Sequence, residues 1–153
     1  MGKTIATNRK ARHDYTVEDS FEAGIALTGT EIKSVREGSV NLQDAYARIE
    51  KGEVWLIGAR IAPWAGGNRW NHDPMRDRKL LIHRTHIDQL VGRTKAKGLT
   101  MVPLSMYFND RGKAKVQVGL VRGKKNYDRR RDIAERDARR DMDREIADAV
   151  RGR

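Results

Sequence analysis

The densest chemistry in this sequence lies in Arg122-Gly-Lys-Lys-Asn-Tyr-Asp-Arg-Arg-Arg131, with six cations, one glycine and one aromatic ring in ten positions. Lysine ammonium groups make point contacts with phosphates, and arginine guanidiniums fork onto them through paired hydrogen bonds. Tyr127 offers a ring on which a base can stack, and Gly123 supplies a hinge. Cations interleaved with a ring are what a sequence-independent contact with RNA needs. The remaining candidates are the four histidines, in His13-Asp14, His72-Asp73, His83 and His86. None forms a His-x-x-x-His or His-Glu-x-x-His motif, and the chain has no Walker glycine loop or Gly-x-Ser-x-Gly elbow. His72-Asp73-Pro74 would suit one corner of a metal-dependent nuclease, but such a site needs further carboxylates on strand ends. The acidic residues here fall mainly at turns and toward the C-terminus. No catalytic residue, metal ligand or cofactor is therefore expected, and a nuclease is the weakest of the readings considered.

Charge locates the partner. The 153 residues carry 32 Lys and Arg against 21 Asp and Glu, a formal +11. A surplus of that size calls for a polyanion, nucleic acid first and an anionic membrane surface second. From Arg122 onward there are 12 cations and 8 anions (+4), so residues 1–121 hold the other +7. Both parts are basic. The absence of cysteine excludes disulfides and thiolate metal sites. The N-terminus lacks the apolar core of a signal peptide, and no apolar run approaches a membrane span. A cytoplasmic protein without membrane contact is expected.

Strand patterns dominate the part that must position these groups. Tyr15, Val17, Phe21, Ala23, Ile25 and Leu27 alternate in a long half-buried strand. It follows a polar basic lead-in, Asn8 to His13. Ile32 and Val35, three apart and followed by Gly38, predict a short helix. Ala45, Ala47 and Ile49, the turn Lys51-Gly52 and a return strand over Val54–Ile61 predict a hairpin. Pro63 to Arg78 reads as a long loop, and its tryptophans Trp64 and Trp70 predict packing rather than disorder. Lys79–His83 predicts a short buried strand. Thr85 and Asp88 resemble a capping box for a helix with Ile87, Leu90, Val91 and Thr94 on one face, closed by Gly98. Leu99–Phe108 with Pro103 at a bulge, the turn Asn109–Gly112 and Lys113–Val121 predict a second hairpin. The class is mainly β: an OB-like antiparallel six-stranded barrel (residues 1–122) with two to three short helices over its openings. Residues 123–153 follow as a basic tail. From Asp132 on, its only apolar stripe is Ala134, Ala138, Met142, Ile146 and Ala149, too thin to hold a helix without a partner. By composition alone, a solvated charged helix is the favoured reading of that tail.

Several blocks together resemble the small protein B (SmpB) family, the SsrA-binding proteins of bacteria. They are Asn8-Arg-Lys-Ala, Gly24-Ile-Ala-Leu-Thr-Gly-Thr-Glu-Ile-Lys-Ser34, Tyr46-Ala-Arg, Gly67-Asn-Arg, Asn71-His-Asp-Pro74, Arg78-Lys-Leu-Leu-Ile-His83, Gly98-Leu-Thr-Met-Val-Pro-Leu104 and Arg122-Gly-Lys-Lys-Asn-Tyr-Asp128. The resemblance implies a monomeric, non-enzymatic adaptor that binds transfer-messenger RNA (tmRNA) and accompanies it to stalled ribosomes. Protein and RNA together imitate a tRNA, the protein standing in for the anticodon arm. It further implies elongation factor Tu as a companion of the charged RNA, and the decoding centre and vacant mRNA channel of the small subunit as the tail's destination. There the tail is helical. Carried onto this chain, the RNA-binding residues are Asn8, Arg9, Lys10, Arg12, Glu31, Lys33, Arg36, Asn41, Asn68, Arg69, His72, Arg76, Arg78 and Lys79. The ribosome-binding tail residues are Lys124, Lys125, Tyr127, Asp128, Arg129, Arg130 and Arg131. Arg129 replaces the lysine common in the family, which keeps the charge but changes the hydrogen-bond geometry. Trp70 stands where another aromatic is usual, a difference expected to affect packing. A general OB-fold binder of single-stranded RNA is the alternative.

Overall fold

The computed structural model describes residues 3–67 and 70–123. The readings for Asn68, Arg69 and the tail residues Lys124 to Arg131 lie outside those residues. Among the described residues, nine strands and three helices run in the order β1 (Thr4–Thr7), α1 (Arg9–Asp14), β2 (Tyr15–Ile25), α2 (Gly29–Arg36), β3 (Val40–Asn41), β4 (Tyr46–Glu50), β5 (Glu53–Ile57), β6 (Arg60–Ile61), β7 (Arg78–Leu81), α3 (Arg84–Lys97), β8 (Thr100–Phe108) and β9 (Ala114–Gly123).

Six of the strands close a ring. Hydrogen bonding runs β8-β4-β5-β7-β2-β9, and β9 returns to β8, with β1 attached along the far half of β8. Closure follows from β8, whose register against β9 shifts between Pro103 and Ser105. Proline cannot donate to a ladder, so the shift bends the strand and lets it serve both neighbours. The antiparallel barrel therefore carries its apolar alternation inward: Ala23, Ile25, Val54, Leu56, Leu80, Met106, Val116, Val118 and Leu120 share one buried core. Helix α3 adds Ile87 and Leu90, and α2 adds Val35. A smaller cluster, Ala11, Val102, Leu104 and Val121 with Tyr15 against it, attaches α1.

Four local readings need correction. The lead-in is a helix, because Asn8 caps it: its Oδ1 accepts from the Ala11 amide at 3.0 Å. With one buried residue, Ala11, it has no apolar period to betray it. The return strand Val54–Ile61 breaks at Gly58, whose φ of +81° admits no side chain without strain. A Cβ there would also meet the Asp44 carbonyl at 3.2 Å. The freed Arg60–Ile61 pairs instead with β3. Thr85 and Asp88 form no capping box; α3 starts at Arg84 with His83 as a cap that makes no side-chain bond. The true box is Thr28 with Glu31. Finally, the strand read as buried over Lys79–His83 runs Arg78–Leu81 and leaves Leu81 54% exposed.

Candidate nucleic-acid interface

Helix α2 starts at a reciprocal cap. The Glu31 amide donates to Thr28 Oγ1 (3.4 Å), and Glu31 Oε1 accepts from the Thr28 amide (2.8 Å). Such carboxylates ordinarily face water, but Glu31 is fully buried. Two arginines make this tolerable. Arg76 Nη2 donates to Oε1 and Arg78 Nε to Oε2, each at 2.6 Å. Arg78 is itself fully buried and donates onward from Nη1 to the Ala59 carbonyl (2.7 Å) and from Nη2 to the Pro74 carbonyl (3.2 Å). One anion and one buried cation thus join α2, the β5–β6 link, the long loop and β7. Burial raises the Glu31 carboxyl, but hydrogen bonds from Arg76, the Thr28 amide and Arg78 outweigh it and hold the group at about 2, below the ordinary 4.5. A carboxylate depressed in the fold stabilises it fully above its unfolded value and loses that contribution as pH falls through the folded one. Stability should therefore drop between about pH 4.5 and pH 2, by on the order of 3 kcal/mol from this group. Urea midpoints at pH 5 and pH 3 check this, because Glu31→Gln should flatten that part of the slope.

Among the described residues of the loop from Ala62 to Asp77, Asn71 and His72 make the tying hydrogen bonds. Asn71 clasps Trp64 from both sides, accepting from its amide (3.0 Å) and donating to its carbonyl (2.6 Å). Glycines leave room for this turn, since a Cβ on Gly66 would meet the Trp64 ring at 2.7 Å and one on Gly67 the Asn71 amide at 2.7 Å. His72 bridges two elements through Nε2 to the Ile61 carbonyl and Nδ1 to Thr30 Oγ1, both at 2.9 Å. A carbonyl only accepts, so Nε2 carries the proton, and in the neutral ring Nδ1 accepts from the threonine hydroxyl. Both ring nitrogens are engaged, which leaves His72 no lone pair for a metal. Among the described residues no three His, Asp or Glu are grouped to hold one.

The sequence-derived RNA residues separate accordingly. Glu31 and Arg78 are buried in the clamp, and half-buried Arg76 is bonded to it. Asn8 is 2% exposed, its side-chain amide donating to the Leu42 and Pro103 carbonyls at 2.9 Å each. These side chains position surface elements and do not themselves reach the surface, apart from part of Arg76. Lys33 is exposed with its ammonium 4.1 Å from the Trp64 ring centroid. Arg9, Arg12 and Arg36 are exposed. Lys10 pairs with Asp44 (2.8 Å) and half-buried Lys79 with Glu53 (3.0 Å). Asn41 is exposed, accepts from the Gln43 amide (2.8 Å) and lies across the ladder from Arg60. Two neighbourhoods result, one around α1 and β3, the other around α2 and the long loop.

Sequence reading missed a third feature. Gly24 pairs in register with Leu81, and a Cβ on Gly24 would lie 3.2 Å from the Leu81 Cβ, so the missing side chain lets the leucine rest across β2. Beside it is a groove of about 350 Å³ whose apolar lining includes Leu27, Ile32, Leu81 and Phe108. Arg36, Lys113 and Lys115 also line it, and no acidic residue does. An apolar floor with cations at its sides can take a nucleobase below and phosphates above. The alternation Lys113-Ala114-Lys115 was visible, but its proximity to Arg36 arises only on barrel closure.

The architecture is that of a small antiparallel barrel with a basic, partly apolar face, and comparison with known proteins makes this specific. The SmpB protein family model matches residues 5–148. The SsrA-binding protein of Desulfitobacterium hafniense (strain DSM 10664 / DCB-2) is 57% identical over 150 residues, covering 98% of this chain and 96% of its own. That of Desulforamulus reducens is 58% identical over 142 residues, 93% of this chain and 88% of the relative. The Listeria monocytogenes protein (serovar 1/2a) is 57% identical over 143 residues, covering 94% and 92%. A solved chain from work described as "tmRNA-SmpB: a journey to the center of the bacterial ribosome" superposes with a TM-score of 0.66 at 52% identity, covering 78% of this chain and 83% of the other. This chain belongs to the SmpB family.

Proposed function

We propose that this chain is an adaptor without catalysis of its own, which binds tmRNA through its barrel and delivers it to stalled ribosomes in the cytoplasm for trans-translation. The observation that carries the reading is near-full-length identity of 57% to a protein named as SsrA-binding. The +11 charge supports it, as does the cation-lined groove beside Leu81. In this reading the barrel grips the tRNA-like domain through Arg9, Lys10, Arg12, Lys33, Arg36, Asn41 and Lys79, joined by Lys113 and Lys115. Asn68 and Arg69 add to the same surface. Asn8, Glu31, His72, Arg76 and Arg78 hold the elements that present it. Lys124, Lys125, Tyr127, Asp128 and Arg129 to Arg131 serve the ribosome. Tyr127 stacks there, and the cations meet ribosomal phosphate in the mRNA channel.

Phosphate contacts release counterions, so affinity should fall linearly in log–log with salt. Replacing Arg36, Lys113 and Lys115 together by alanine should reduce the slope by about 0.7–0.9 for each lost contact. Filter binding of the tRNA-like domain between 50 and about 200 mM salt measures this. An unchanged slope in the triple variant removes the groove from the interface.

A further inference from the structure

An unbroken apolar run such as Val54-Trp55-Leu56-Ile57 ordinarily marks a strand covered on both faces. Here one face is covered and the other is not. Val54 and Leu56 are fully buried in the barrel core, whereas Trp55 and Ile57, alternating with them, are half-buried on the outer side. The neighbouring strand β4 does the same: Ala47 is buried, Tyr46 is 40% exposed and Arg48 is exposed. Among the described residues neither apolar cluster includes Tyr46, Trp55 or Ile57, and the buried apolar residues of all three helices lie in those clusters instead. The ladders set these outer groups in rows. Tyr46 pairs with Ile57, and Arg48 pairs with Trp55, which pairs in turn with Lys79 of β7. Tyr46 and Trp55 are therefore diagonal neighbours, roughly 7 Å apart. Neither the Tyr46 hydroxyl nor Trp55 Nε1 has a hydrogen-bond partner among the described residues.

Spacing, charge and position choose the occupant. Protein partners generally need a contiguous apolar patch of several hundred Å². Here two rings and one isoleucine are interrupted by Arg48 and Lys79 and bordered by Glu50 and Glu53. Rings set diagonally with cations beside them suit successive bases and the phosphates that join them. Both cations stand in exposed ion pairs, Arg48 with Glu50 (2.9 Å) and Lys79 with Glu53 (3.0 Å). Such pairs contribute little to stability and can be exchanged for a phosphate. Leu81 follows Lys79 two residues on along the same face and lines the cation-flanked groove toward β9. A depression of about 490 Å³, bordered by Glu53, Lys79, Leu81, His83 and Arg84, continues that path. An RNA strand lying in the groove would thus run on over Lys79 to the two rings. We infer that Tyr46 and Trp55 are stacking platforms for two successive unpaired bases of the bound RNA, with Arg48 and Lys79 on its phosphates. This rests on the RNA-binding reading above and extends it from β7 across β5 and β4.

The test uses the full chain and the tRNA-like domain of tmRNA. Isoleucine keeps strand propensity and apolar surface but lacks a flat ring, so Tyr46→Ile and Trp55→Ile remove stacking with little disturbance of the sheet. Each should weaken binding about 5- to 150-fold, the usual cost of one lost base–aromatic stack. Tyr46→Phe and Trp55→Phe should keep most of the affinity. RNA should also shield the Trp55 share of the tryptophan emission, read as parent minus Trp55→Phe, from acrylamide. Tight binding by the parent with both isoleucine variants within twofold would overturn the platform while leaving the RNA-binding reading standing. An unshielded Trp55 would overturn it too, even where an isoleucine variant lost affinity through a lowered melting temperature. Failure of the parent to bind would instead sink the RNA-binding reading. If the isoleucine variants bound RNA normally but lost ribosome association, the occupant would be a ribosomal partner, and the stacking assignment would be wrong.

Discussion

Ending the chain after Arg122 should leave tmRNA binding within about threefold and reduce tagging on stalled ribosomes to background. The first compact unit of the chain is Met1–Arg122. The β8–β9 ladder has its final register pair at Thr100 and Val121, so truncation removes none of these pairs. Every core residue among those described lies within the remaining residues, and the melting temperature should not move. What is lost is +3 of charge and the cations with the ring: residues 123–153 hold 11 cations and 8 anions. In the proposed reading these cations serve the ribosome and the barrel keeps its own basic surface, +7 over residues 1–121, hence the small effect on tmRNA. In the proposed reading the tail is the part that serves the ribosome, hence the large effect expected there. Tyr127→Ala should reproduce much of the tagging defect in the full chain. Tagging assays with purified ribosomes, run beside tmRNA binding, separate the two; parallel loss of both activities would break the division of labour.

The second large effect is structural. Glu31→Gln keeps the shape of the side chain but leaves Arg78 as a fully buried cation without its anion. Removing one partner of a buried pair costs about 3–5 kcal/mol, because the stranded charge still forgoes its hydration. For a domain of this size that lowers the melting temperature by roughly 10–20 °C. Replacing both, as in Glu31→Leu with Arg78→Met, should recover much of the loss, since apolar side chains of similar volume need no desolvation repaid. RNA binding should follow the loop rather than the charge. The double variant should stay weaker than the parent even where it regains stability, because Ala59, Pro74 and α2 would no longer be tied together. Urea unfolding and RNA titration on the same proteins distinguish these outcomes. Full recovery of RNA binding by the double variant would show that the clamp does not position the interface.

Period and turn chemistry made much of the barrel legible in advance. β2 showed in its two-residue alternation, the β4–β5 hairpin in Lys51-Gly52, and the β8–β9 hairpin in Pro103 and the Asn109–Gly112 turn. Both central residues of the first turn adopt positive φ, 53° and 77°, as a two-residue hairpin asks. What failed was whatever depends on partners distant in the chain. Glu31, Arg78 and Asn8 carry polar groups, and polarity alone places a residue at the surface. Only the fold reveals that the donors meeting Glu31 come from 45 and 47 residues away. The capping box was misplaced for a simpler reason. Thr28-x-x-Glu31 and Thr85-x-x-Asp88 share a pattern, but the box is a Glu or Gln motif, and aspartate is one methylene shorter. Which of the residues carried over from the family blocks face outward required the structure.

The central claim is that this barrel selects one RNA. The most direct measurement is equilibrium competition, with the full chain bound to labelled tRNA-like domain of tmRNA and challenged by unrelated RNA of equal length at physiological salt. Specific recognition predicts that unlabelled tRNA-like domain displaces the probe at concentrations at least about 100-fold below the unrelated RNA, beyond what shared phosphate contacts allow. Displacement by both RNAs at the same concentration would contradict it and leave a general single-strand binder in its place.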